Sequence, residues 1–134
     1  MSDFDADEEY TPQWYVYEGG QTRGKSGPES GIIVADEEWG DPDDDEDADG
    51  RLTLEQSRGD AGGFIVSSTL YGWMYHATTA STEDDARRIY EAMRHDLESL
   101  SEMLPYEEDG PRRIEEKTAT LLGAIAAFEA KYPT

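Results

Sequence analysis

The sequence predicts an α+β domain: an antiparallel sheet of four to five strands, arranged as a meander, followed by two C-terminal helices packed on one face. Three observations predict it. Short runs of aromatic, β-branched and alternating apolar residues fill the chain as far as Thr79. From Glu83 onward the apolar residues recur at helical spacing instead. Glycine clusters, prolines and acidic runs separate these segments. A chain of 134 residues is the length of one domain.

The elements follow in order. Residues 1–12 read as a disordered acidic tail and residues 13–134 as a single domain. Trp14-Tyr15-Val16-Tyr17 is the first strand, rich in residues that suit a pleated surface. Residues 19–28, with four glycines and the bases Arg23 and Lys25, read as a flexible connection. Ile32-Ile33-Val34-Ala35 is the second strand, and residues 36–50 form an acidic hairpin loop. In Arg51-Leu52-Thr53-Leu54-Glu55-Gln56, strict alternation directs Leu52 and Leu54 to a core and Thr53 and Glu55 outward.

The run from Phe64 to Thr79 is too long for one strand, since strands usually span roughly 3–10 residues. Gly72, which accepts positive φ without strain, is expected to turn it into a hairpin. A hydroxyl cap at Ser81-Thr82, followed by Glu83, Asp84 and Asp85, starts the first helix. Its apolar face is Ala86, Ile89, Tyr90, Met93, Leu97, Leu100 and Leu104, and Pro105 stops it. Gly110-Pro111 starts the second helix. Its face is Ile114, Thr118, Leu121, Leu122, Ile125, Phe128 and Tyr132.

Charge is the most informative feature for function. The formal net charge is −21, and 15 of the 32 acids lie in two stretches without a base. Five are in the tail (Asp3, Asp5, Asp7, Glu8, Glu9), and ten lie between Asp36 and Asp49. The rest of the chain has 17 acids against 11 bases, an ordinary balance. Such a surface repels phosphate backbones and anionic membranes, which argues against direct nucleic-acid or membrane binding.

The absence of cysteine excludes disulfides, thiol catalysis and Cys-bearing zinc sites. The acidic start lacks the basic and apolar regions of a signal peptide, and no apolar run is long enough to span a bilayer. A cytoplasmic location is the expectation. No G-x-G-x-x-G, P-loop, G-x-S-x-G or H-E-x-x-H pattern occurs, and neither His76 nor His95 has a partner at catalytic spacing. The chain therefore reads as a non-catalytic protein, with a small hydrolase of no recognisable motif as an alternative.

Two candidate sites emerge. Asp45-Glu46-Asp47-Ala48-Asp49-Gly50-Arg51-Leu52 resembles the opening of the calcium loop of EF-hand proteins. The resemblance implies a cation held by Asp45, Asp47 and Asp49, with the Arg51 carbonyl as a fourth ligand. The twelfth position is Gln56 rather than the family's bidentate Glu, and strand patterns rather than helices flank the motif. The second candidate is a recognition surface for a basic partner protein, formed by Asp43, Asp44, Asp45, Glu46, Asp47 and Asp49 with Trp39 at the loop base.

Tyr71, Trp73, Tyr75 and His76, with Trp14, Tyr15 and Tyr17, can extend that surface as an aromatic patch, Trp73 being its test residue. The first functional expectation is accordingly a small binding or regulatory protein of inhibitor, immunity or nucleic-acid-mimic type. A calcium-binding protein is the second, and a halophile-type acidic domain the third. Eight of the 11 bases are Arg, as in salt-adapted proteins, but the clustering of the acids is not.

Overall fold

The computed structural model describes residues 11–44, 47–60 and 62–134. The disordered tail expected at the start, and Asp45 and Glu46 of the acidic run, lie outside the described residues, Thr11 and Pro12 excepted. Five strands, β1 (Gln13–Val16), β2 (Ile32–Gly40), β3 (Gly50–Gln56), β4 (Phe64–Leu70) and β5 (Met74–Ala80), form an antiparallel meander in that order. Two helices follow, α1 (Glu83–Ser101) and α2 (Gly110–Lys131). No helix among the described residues is long and apolar enough to cross a membrane.

The core lies between the sheet and the helices. Leu52, Leu54, Val66, Leu70 and Met74 meet Ala86, Tyr90, Met93, Leu97 and Leu100 of α1 and Leu121, Ile125 and Phe128 of α2. Each large aliphatic or aromatic side chain removed from water here contributes roughly 1.5–3 kcal/mol. The hydroxyl of Thr82 accepts the Asp85 amide hydrogen and caps α1. Gly72, with φ of 84°, makes the turn between Leu70 and Met74. On α2 the contact positions Leu121, Ile125, Phe128 and Tyr132 are spaced three or four apart. Leu122 falls one residue, about 100°, off that stripe and is 53% exposed, so it does not belong to the buried face.

The structure also corrects the sequence reading at two places in the sheet. β2 runs to Gly40, so Asp36, Glu37 and Glu38 are strand residues, paired with Thr53, Leu52 and Arg51. Acidic residues disfavour strands on average, but the partners found across the sheet override that tendency. A bulge at Val34 lets Ile33 and Asp36 share a sheet face. The connection from Tyr17 to Gly31 is also no free linker. The Gly24 N–H donates to the Ile33 carbonyl and the Ile33 N–H to the Lys25 carbonyl, and Ser26 bridges Ile32. This segment straps the sheet face away from the helices. Thr53 and Glu55 point to that face as alternation requires, yet only 1% and 0% of their surface is exposed.

Candidate functional site

Strand alternation places Asp36, Glu38 and Glu55 on the strapped face, where these three carboxylates organise the hydrogen bonds. Asp36 accepts from Arg51 Nε (2.9 Å) and Nη2 (2.7 Å), from Thr53 Oγ1 (3.0 Å) and from Thr22 Oγ1 (2.9 Å). The Arg51 guanidinium lies 4.1 Å from the centre of the Tyr17 ring. Its hydrogen bonds to Asp36 hold its pKa above the ordinary arginine value. Glu38 accepts from the hydroxyls of Tyr15 (2.9 Å) and Tyr71 (2.6 Å). Glu55 accepts the backbone N–H groups of Gly31 (2.8 Å) and Glu29 (3.0 Å). Glu29 in turn receives the Tyr75 hydroxyl.

All three carboxylates are almost fully buried. Burial is tolerated because each has at least two donors. Burial first, and then the bond to Glu38, raises the Tyr71 phenol well above 10. The same two causes, with Glu29 as acceptor, push Tyr75 up to about 12.

The aromatic residues divide between the faces. Tyr15, Tyr17, Tyr71 and Tyr75 belong to the strapped face through these contacts. Trp14 and Trp39 lie on the helix side, 5.4 Å apart, their indole N–H groups bonded to Glu98 Oε2 (2.8 Å) and Ser101 Oγ (2.9 Å). Glu37, also on that side, accepts from Tyr90 Oη (2.7 Å) and pairs with Arg94. Trp73 is half-buried against the core. His76 packs edge-on to Phe128 and bonds the Tyr132 carbonyl, while His95 is exposed.

The remaining acids of the loop leave the sheet between Gly40 and Gly50. The Asp49 N–H donates to the Trp39 carbonyl (2.8 Å) and the Tyr71 N–H to the Asp49 carbonyl (2.9 Å), so two neighbouring turns are tied together. Asp43, Asp44 and Asp47 are exposed, and Asp41 and Asp49 half-buried. Gln13, the first residue of β1, pairs with Gly40. β1 thus begins beside the point where the acidic loop leaves the sheet. The Trp39–Ser101 bond brings the end of α1 to the same pole. The Tyr106 phenol beyond it is raised by burial and by the charges of Asp49, Asp109 and Glu108. Exposed Glu102, Glu107 and Glu108 enlarge this acidic pole.

Lys25 and Arg58 sit at the opposite end of the sheet, together with Glu29, Asp60 and the first-turn acids Glu83, Asp84 and Asp85 of α1. Lys25 and Arg58 are tied there through the Lys25 carbonyl to the Ile33 N–H and through Arg58 Nε to the Ser30 carbonyl. Among the described residues, no three His, Asp or Glu side chains converge to hold a metal ion. Of the calcium-type ligand set, Asp47 and Asp49 are described and Asp45 is not. A shallow cavity of about 220 Å³ between α1 and α2 is lined by Leu100, Met103, Ala124 and Phe128, with the Asp96–Lys131 pair at its rim. The chain matches no protein-family model, no curated protein and no solved structure against which it was compared.

Sequence reasoning assigned Asp36, Glu38 and Glu55 to solvent, whereas they organise the strapped face. One signal for this lies in the chain. Asp36 and Glu38 keep the two-residue period of a strand, and Arg51 and Thr53 follow across the hairpin with the same period.

Proposed function

We propose that this protein is a non-catalytic binding protein whose acidic pole engages a cationic partner protein. The single observation that carries the reading is the exposure of Asp43, Asp44 and Asp47 on the loop that leaves the sheet at Gly40, at the same pole as exposed Glu102, Glu107 and Glu108. Asp36, Glu37 and Glu38 are bonded within the sheet and to α1, and the recognition loop carries Asp43, Asp44, Asp47 and Asp49, with Asp45 and Glu46 of the same run. Trp39 bonds Ser101 and Trp73 packs against the core. A concentration of like charge on one side of a near-neutral domain steers an oppositely charged protein and accelerates association by roughly 10–10³-fold. A basic groove built for phosphate backbones has the complementary chemistry, which is the inhibitor or nucleic-acid-mimic mode.

The test is binding to a basic probe protein such as protamine at low and physiological salt. The expected result is tight capture that weakens steeply with salt, and loses at least tenfold in affinity when Asp43, Asp44, Asp47 and Asp49 become Asn. Equal affinity of the folded variant and the wild type would remove the loop from the interaction.

A further inference from the structure

The two edges of the sheet are built differently. β1 is guarded: it has four residues, Pro12 precedes it, and Glu18 and Gly19 at φ of 47° and 66° turn the chain away. Short length, proline and a kink are devices that keep an edge from pairing with other strands. β5 has none of them. Its seven residues, Met74-Tyr75-His76-Ala77-Thr78-Thr79-Ala80, include no Asp, Glu, Lys, Arg, Pro or Gly, and its register with β4 is unbroken. Among the described residues its backbone makes bonds only to β4. The strand is also held in place from beneath, since His76 and Thr78 bond the carbonyls of Tyr132 and Pro133.

We infer that β5 is a self-association edge, which pairs antiparallel with β5 of a second copy about a two-fold axis at Ala77 to form a continuous ten-stranded sheet. A two-fold interface requires one surface to complement itself. The midpoint of the seven residues is Ala77, and about it Tyr75 lies opposite Thr79 of the second copy, an aromatic–β-branched pair of the kind that stabilises sheets. Tyr75, 47% exposed, and the exposed Thr79 lie on the same sheet face and are available for that pairing.

Charge selects a second copy over an acidic or basic stranger. β5 is uncharged in a chain of net −21. Antiparallel pairing also sends the two acidic poles to opposite ends of the dimer. A parallel arrangement would place the two acidic poles side by side.

Sedimentation equilibrium of the full chain at about 0.15 M salt, where distant charges are screened, tests the inference. The mass should rise with concentration from 15.0 kDa toward twice that value. Ala77→Lys sets two ammonium groups face to face at the axis and should remain a monomer with unchanged circular dichroism. An equimolar mixture of Ala77→Lys and Ala77→Glu should recover the dimer. Should Ala77→Lys not fold, Thr79→Lys, at an already exposed position, is expected to block association by replacing the Tyr75–Thr79 pair with a charge against the ring. A wild type that stays monomeric at every concentration, a folded lysine variant that dimerises like wild type, or a mixture that stays monomeric would each overturn it.

Discussion

Asp36 shows how a single carboxylate can be removed from water without losing its charge. Its side chain is 1% exposed and accepts four hydrogen bonds, two of them from Arg51, whose side chain is 21% exposed. Removing one partner of such a pair leaves the other uncompensated. Asp36→Ala is therefore expected to destabilise the protein by about 3 kcal/mol, read as a lower urea midpoint with an unchanged slope. Arg51→Met, which leaves Asp36 with only two hydroxyl donors, should cost a similar amount.

The tyrosines give a pH signature. Tyr75 and Tyr132 are each pushed up to about 12, by burial first and by bonds to Glu29 and Asp96 second. Tyr71 and Tyr90 are raised further, again by burial and then by Glu38 and Glu37. The unfolded phenols ionise near 10, before the folded ones, so the unfolded state gains the proton-release advantage. Stability from these groups is complete below pH 10 and is lost as pH rises from 10 toward 12. Urea midpoints should be level up to about pH 9.5 and fall steeply beyond it, and Tyr71→Phe should make that fall shallower.

At the scale of elements, the strap from Tyr17 to Gly31 and the helix α1 are held by different means. α1 relies on its apolar stripe and on the Thr82 cap, with Glu83, Asp84 and Asp85 in its first turn. Thr82→Ala is expected to lower stability by about 1 kcal/mol. The strap buries little apolar surface and depends on the Glu55 carboxylate. A methyl group on Gly31 would come 2.7 Å from the Gln56 carbonyl oxygen and 3.0 Å from Glu55 Oε1, so glycine is required there by close approach. Glu55→Gln can accept only one of the two amide hydrogens well, because one oxygen has become a donor. Its expected effect is local: faster hydrogen exchange at Glu29, Gly31 and Ile33, with the amides of α1 unchanged. Uniformly faster exchange throughout the sheet would instead mean that the strap folds as one unit with the core.

For the whole molecule, the sheet separates two jobs. One face meets the helices through Leu52, Leu54, Val66 and Leu70, each with no exposed surface. Leu97 of α1, 1% exposed, sits in that interface, and Leu97→Ala is expected to cost about 2–5 kcal/mol through lost burial and the cavity left behind. The other face carries the polar network, which fixes the strap and ties Tyr71 to the base of the acidic loop. The acids of the loop gather where β2 ends and β3 begins, and that concentration underlies the proposed docking of a cationic protein at this end.

The sequence alone determined the meander, both helices, the Gly72 hairpin and the side of β3 that faces the core. These depend on neighbours close in the chain, where periodicity, caps and turn residues act directly. It also located the surplus charge, since composition needs no coordinates. Only the tertiary structure decided what the acids of Asp36–Glu38 do. Their partners Thr22, Arg51, Tyr71, Tyr90 and Arg94 lie 14 to 57 residues away, or across the sheet, and no local pattern connects them. Leu122 was misread for the opposite reason: local pattern allowed a wider stripe than the second helix can press against the core. The placement of Gln13 beside Gly40 likewise required the register of β1 on β2. A carboxylate in a charge run looks solvated until its hydrogen-bond donors are known, and those donors are supplied by the fold.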